Sequence, residues 1–358
     1  MGRSPRSTVP CLAGRSKPMS SSRARVVWLA LSAGLVFLAL YSMGLGRMSV
    51  SWDEVCRIIG NALVPNLWDS PAPSRVRVVL LVRLPRILLA MLVGAGMSLS
   101  GAALQGVFRN PLASPDVIGV TSGAALGGVA GIMLAGNPAV TVLAAFCGGI
   151  ASLLFVFLLS REENRSSVLM LILAGMVCSA FFSAMISLAK FVADPQDTLP
   201  GITFWLMGSL SSATWGRLGT VVLPVAGASC VLYALRFRID VLSLGDEEAE
   251  MLGIRVECTR WAALAAIALI SASIVSVCGV VGWVGLVVPH GARMLTGPDH
   301  RSLLITSPLL GAAFMLLVDD VARAATAVEI PLGILTAAVG APVFVILLRR
   351  FKKQRTIQ

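Results

Sequence analysis

The feature that most constrains this chain is a run of apolar blocks, repeated from residue 26 to residue 349. Each is about twenty residues long, the length an α-helix needs to cross a bilayer. Ten such spans are expected: 26–46, 83–107, 116–136, 139–160, 167–189, 217–236, 259–279, 281–296, 302–322 and 331–349. The eighth is short and reads as broken at Pro289. Residues 203–213 suggest a further short helix on the outer side. Residues 47–82, with Trp52, Asp53, Trp68, Asp69 and the Pro71–Pro73 stretch, read as a surface loop with a short amphipathic helix at the membrane interface. Only 13% of the 358 residues are charged and 56% are hydrophobic, far from the balance of a soluble domain. The lipid takes the place of a second core layer, so the chain reads as one membrane domain, 26–350. A basic tail precedes it at 1–25 and a short tail follows at 351–358.

The net charge of +11 does not point to nucleic acid, because the cations sit at block ends and not along one face with aromatics between them. With the N-terminus placed inside, about twenty of the 29 Lys and Arg fall on the cytoplasmic side, as the positive-inside rule requires. Ten spans then leave both termini cytoplasmic. A cleaved signal peptide is the rival for residues 1–46. That apolar run is longer than a usual signal core and ends in no small-residue cleavage site. Seven cysteines form no CxxC pair and are odd in number, which favours small buried packing residues over a disulfide frame or zinc site.

Several chemistries have nothing to be built from. The sequence holds no GxxxxGK[ST] phosphate loop, no HExxH and no GxSxG, and its only histidines are His290 and His300. Ion-driven carriers place ionisable groups near the bilayer midplane. Here such groups are scarce within the blocks, and Asp319 and Asp320 lie at the outer end of one. Energy is therefore expected from a partner.

The informative stretches come in a fixed order. GAGMSLSGAALQG (94–106) carries Gly94, Gly96, Ser98, Ser100 and Gly101, small residues at helical spacing that let helices approach closely. FRNPLASPDVIGVTSGAALGG (108–128) follows; Pro111 and Pro115 break the helix there, and Ser114 and Asp116 can cap the next one. Then come LAGMVCSAFFSA (173–184), WLMGSLSSATW (205–215) and DVLSLGDEEAEMLGI (240–254). VGWVGLVVPHGARMLTGPDHR (281–301) and DDVARAATAVEIPLGILTAAVGAPVFVILLRR (319–350) complete the set.

In this order the stretches resemble the permease subunits of ABC importers for iron–siderophore, haem and vitamin B12, the FecCD-type family, over about residues 75–350. The resemblance implies an all-α polytopic membrane protein with the type II ABC importer permease fold, in the bacterial inner membrane. It implies a transport subunit, not an enzyme, paired with a second copy or a sister permease. Two ATPase subunits that use ATP and Mg would lie beneath, a substrate-binding protein above, and no cofactor would be bound by this chain. Arg83 and Arg86 in RLPR and Arg323 in DDVAR match outer arginines that meet acids of the binding protein. Exposed guanidinium groups suit that task, since they pair bidentately with carboxylates; their reversal to Glu would then leave assembly intact. Anchoring to lipid phosphate is the competing use of such residues. The loop Leu242, Leu244, Gly245, Asp246, Glu247, Glu248, Ala249, Leu252 and Gly253 resembles the coupling helices that seat on the ATPase. Its acids suit the positive end of a helix dipole. A cytoplasmic gate is implied at Asn110 and Leu112 and at Ser167 and Val168. His290 is expected to be a structural or interface residue and not a catalytic one. Ferric siderophore is the first cargo to consider, haem the second and cobalamin the third. A secondary carrier or exporter of similar span count, and a membrane enzyme, are the alternatives.

Overall fold

A computed structural model of the chain describes residues 21–46, 48–65, 67–69, 71–160 and 167–355, with side chains from 22 to 346 of these. Arg3, Arg6, Cys11, Arg15 and Lys17 of the basic tail, the Arg161 and Arg165 pair and residues 356–358 lie outside the described residues. Within them the chain is helical, in fourteen helices labelled here in chain order. These are α1 Ser21–Gly44, α2 Trp52–Leu63, α3 Pro73–Val107, α4 Val120–Ala135, α5 Pro138–Ser160, α6 Val168–Val192 and α7 Thr198–Leu206. They continue as α8 Trp215–Ala234, α9 Arg236–Leu242, α10 Asp246–Met251, α11 Val256–Cys278, α12 Val284–Thr296, α13 His300–Ala324 and α14 Leu332–Arg355.

Each of the ten expected spans meets a helix. Seven are long and apolar enough to cross a membrane, by length and composition: α1, α3, α5, α6, α8, α11 and α13. The other three, α4, α12 and α14, are shorter in their apolar length. The bundle is organised around α11, the most deeply buried of the long helices. It packs against α3, α4, α5 and α8. Beyond Trp261 its sequence is apolar or small on every side, including Ala266, Ala268, Ser271, Ala272 and Ser273, all buried, as a helix surrounded by others must be. A second tight unit joins α3 to α13 and α12, and α1 lies outside it against α13.

The small residues of α3 act as packing surface. A Cβ on Gly94 would lie 2.0 Å from the Gly311 carbonyl oxygen of α13, and one on Gly101 would lie 1.8 Å from that of Gly285 in α12. Ser98 donates its hydroxyl to the Ser307 carbonyl at 2.9 Å across the same crossing. In lipid, where apolar side chains gain nothing by leaving their solvent, such close backbone approach is the main source of helix association.

The helix containing RLPR begins ten residues earlier than expected. Pro73 takes the first helical position, where its missing N–H costs nothing. The backbone then widens to π geometry over Val78–Arg83, with Leu84 N–H bonded to the Val79 carbonyl. Pro85 lies one residue beyond, and the wider turn gives its ring room against the preceding carbonyls. The amphipathic helix expected in 47–82 is α2, started by a reciprocal Ser51–Glu54 capping box.

Three local expectations are corrected. The helix placed at 203–213 lies instead at Thr198–Leu206. Gly208, at φ +74°, ends it, and the following turn is tied down by Ser209 N–H to the Cys278 carbonyl. Pro289 does not break α12, which continues through it to Thr296. Ser114 caps nothing with its side chain; a short 3-10 turn, Pro115–Ile118, precedes α4, which starts after Gly119 at φ +83°. Of the six described cysteines only Cys178 and Cys278 are buried, because Cys56, Cys147, Cys230 and Cys258 lie on outward faces of their helices.

Candidate functional site

The bundle carries its polar chemistry at its two ends. At one end, expected from the sequence to be the outer one, α1 stops at Gly44 and leaves its last carbonyls without helical partners. Arg323 of α13 donates to the carbonyls of Ser42 at 2.6 Å and Leu45 at 2.8 Å. Arg83 donates to the carbonyl of Met43 at 2.5 Å and to that of Met48. Cations at a helix C-terminus also suit its dipole.

Around this cap sits a network of six charges. Arg86 spans two carboxylates. Its Nε and Nη2 face Asp319 at 2.9 to 3.1 Å, and its Nη1 and Nη2 face Glu329 at 2.9 and 3.0 Å. Arg323 pairs with Asp320, whose Oδ1 also accepts the Ser42 hydroxyl at 2.6 Å. Arg86 and Arg323 thus meet Asp319, Asp320 and Glu329, while Arg83 beside them is held by the Met43 and Met48 carbonyls. The network fastens α1, α3, α13 and the loop that leads into α14.

This overturns the expected exposure of the three arginines. They are 4%, 8% and 7% exposed, and Asp319 is wholly enclosed. Guanidinium groups at that depth are held by the carboxylates and main-chain carbonyls around them, although Arg323 Nε has no hydrogen-bond partner and lies 3.8 Å from Asp319. The cations that do reach the surface at this end are others: Arg57 paired with Asp53, Arg75 paired with Glu54, the exposed Arg77, and Arg217. Glu54 is held below the usual carboxylate range, first by the Ser51 backbone N–H and also by Arg75.

At the opposite end the 242–253 loop folds as its sequence suggests. Gly245, at φ +153°, turns the chain, and Asp246, Glu247 and Glu248 open α10. Gly253, at φ +78°, closes it. Leu242 and Ala249 are buried with Val241 and Val256 in a small satellite core. Leu244, Met251 and Leu252 stand exposed beside Glu247 and Glu248. The outward face of this loop is therefore acidic and apolar.

Asp246 does more than open the helix. Its carboxylate lies 2.8 Å from Arg260 in α11, a guanidinium only 1% exposed, and 3.6 Å from Arg109. Arg109, at φ +53°, is the residue before Asn110 in the turn that ends α3. The acidic loop is thus joined to the turn that carries Asn110 and Leu112. Asn110 and Leu112 are both exposed, and Asn110 Oδ1 accepts the Leu112 N–H at 2.9 Å. Ser167 caps α6 by accepting the Met170 N–H, and Val168 opens that helix, half-buried. α6 packs on the Pro115–Ile118 turn, which places the two pairs of residues at the same end of the bundle.

Sequence reasoning missed a second tether. Asp240 of α9 accepts the His300 backbone N–H at 3.2 Å and faces His300 Nδ1 at 3.3 Å. The hydrogen bond from His300 holds the Asp240 carboxyl below its ordinary range. His290 is half-buried within α12, away from any described group of three metal-binding side chains, since none forms among the described residues.

A bundle of about ten membrane helices with an acidic loop at one end and a neutral charge lock at the other defines a polytopic transport subunit. The chain belongs to the FecCD transport family, whose model matches residues 34–350. It is 42% identical to the molybdate import system permease protein of Haemophilus influenzae, across 91% of this chain and 96% of that one. It is 37% identical to the hemin transport system permease protein of Yersinia pestis, across 90% and 95%. A probable iron chelatin transport system permease protein of Helicobacter pylori shares 39% identity across 89% and 97%. The fold matches a solved inward-facing ABC transporter assigned to the metal-chelate type, with a TM-score of 0.82, 41% identity, and coverage of 91% of this chain and 99% of that one.

Proposed function

We propose that this chain is half of a permease dimer in a bacterial inner membrane, driven by two ATPase subunits at the face carrying α10 and supplied by a binding protein at the opposite face. The observation that carries the reading is the double ion pair of Asp246. One carboxylate joins the acid-headed helix both to α11 and to the turn bearing Asn110 and Leu112. Force applied to α10 by a closing ATPase would pass through Arg109 to that turn and through Arg260 to the central helix. Asn110, Leu112, Ser167 and Val168 are the proposed gate. The exposed Leu244, Met251 and Leu252 with Glu247 and Glu248 are the proposed contact with the ATPase.

At the other face, the buried arginines serve docking differently from free cations. Arg83 and Arg323 fix the shape of the platform. Arg86 is open to a partner's carboxylate only where Glu329, which is 30% exposed, gives way. Docking is then an exchange of one carboxylate for another.

For cargo, a ferric siderophore is the first proposal, since permeases named for iron chelates and haem are among the similar proteins. Molybdate is the second, favoured by the 42% identical molybdate permease; it was not among the cargoes suggested by sequence alone. Uptake of radiolabelled ferric siderophore and of radiolabelled molybdate, in cells with and without this gene, separates them. Loss of siderophore uptake alone supports the first reading, and loss of molybdate uptake alone replaces it with the second.

A further inference from the structure

Two cavities lie side by side where α5, α8 and α11 meet at the outer end. Their volumes are about 640 and 380 Å³, and both are lined by Pro138, Val142, Arg217 and Ser276. They exist because α5 and α8 each pack on α11 without packing extensively on each other, which leaves a crevice between them. The crevice is polar at one end and apolar along its length. Leu143, Phe146, Val221 and Pro224 line the larger cavity. Neighbouring outward residues, Leu143 at 63% and Leu223 at 78% exposure, place this side of the bundle against lipid chains.

The mouth is built around Arg217, in the first turn of α8. Its guanidinium donates to the Ser212 hydroxyl and forms no ion pair with a carboxylate among the described residues. Arg57, Arg75, Arg86 and Arg323 at the same end each have an acidic partner. Arg217 therefore brings uncompensated positive charge to the cavity. The start of α8 adds to it, since Gly216 lines the larger cavity and its N–H belongs to the first helical turn, which lacks intrahelical acceptors. Thr220 and Ser276 line the same space with hydroxyls.

We propose that this crevice holds one phospholipid with an anionic headgroup, taken from the adjacent leaflet. The phosphate lies on Arg217 and the start of α8, and one acyl chain follows Leu143, Phe146, Val221 and Pro224. Charge complementarity selects the head, and the continuous apolar wall selects a lipid over a small water-soluble anion. The proposal is independent of which cargo the permease carries.

The test uses the purified permease with its ATPase in detergent. Phosphatidylglycerol, phosphatidylcholine or inorganic phosphate is added, and bound lipid is counted by native mass spectrometry while Tm is followed. Phosphatidylglycerol should leave one retained adduct per permease chain and raise Tm, with phosphatidylcholine and phosphate giving neither. Arg217→Gln should weaken phosphatidylglycerol binding by about tenfold or more, the factor expected from losing hydrogen bonds to a charged group, and Arg217→Lys should retain most of it. Equal retention of both lipids, protection by phosphate alone, unchanged binding in Arg217→Gln, or no adduct in the wild-type complex would each overturn the proposal.

Discussion

Arg86 decides how the outer end is understood. Its side chain is enclosed and divides its donors between Asp319 and Glu329. Removing one partner of a buried ion pair typically costs about 3–5 kcal/mol, because the other charge stays buried and unpaired. Arg86→Ala should therefore destabilise the fold by about that amount, read as a lower Tm in detergent. Arg86→Ala with Asp319→Ala should recover part of the loss, as a double-mutant cycle measures. Reversal of Arg86 to Glu should lose assembly as well as docking, contrary to what exposed arginines would predict. Glu329→Gln should behave in the opposite sense. It frees donors of Arg86 at a partly exposed position, so it should strengthen stimulation of ATP hydrolysis by the loaded binding protein. No change in that stimulation would remove the carboxylate-exchange account of docking. The residues of this network were all visible in the sequence, but their pairing was not. Arg86 and Asp319 are 233 positions apart, and only the packing of α3 on α13 brings them together. Proximity in sequence to an outer loop suggested exposure, and burial reversed it.

At the scale of elements, the long helices were legible because lipid imposes their length on the sequence. The crossings between them were partly so. The spacing of Gly94, Ser98 and Gly101 marked a packing face, but not that its partners are Gly311, Ser307 and Gly285. Gly101→Val should push α12 away from α3, since even a Cβ meets the Gly285 backbone. Overpacking usually costs about 1–3 kcal/mol; here the obstacle is backbone, so the yield of folded protein on size exclusion should fall sharply. The short elements were less legible. Gly208 ends α7, and Pro289 passes within α12, because tertiary contacts settle boundaries that local propensity leaves open. The acid-headed α10 was readable from Gly245 and the three acids after it, whereas its ties to Arg109 and Arg260 came only from the fold. Glu248→Arg should weaken copurification of the ATPase while leaving the bundle folded, because Glu248 is exposed. Asp246→Ala should instead leave the ATPase bound and slow transport per ATP hydrolysed, since it cuts the link to the Asn110 turn. Equal loss of binding in both variants would contradict the division of roles.

The whole molecule is a bundle whose centre is plain packing and whose ends carry the chemistry. The network at one end balances its charges, the loop at the other is acidic and apolar on its free face, and the half-exposed carboxylate of Asp246 connects that loop to the proposed gate. In the proposed reading the chain works with a nucleotide-driven partner at one end and a loaded donor at the other, in keeping with membership of the FecCD transport family over residues 34–350. The decisive measurement is uptake of ferric siderophore into proteoliposomes holding this permease with its ATPase, with the binding protein added outside. The account predicts accumulation only when ATP, the ATPase and loaded binding protein are all present. Accumulation in the absence of ATP, driven by an ion gradient alone, would contradict it.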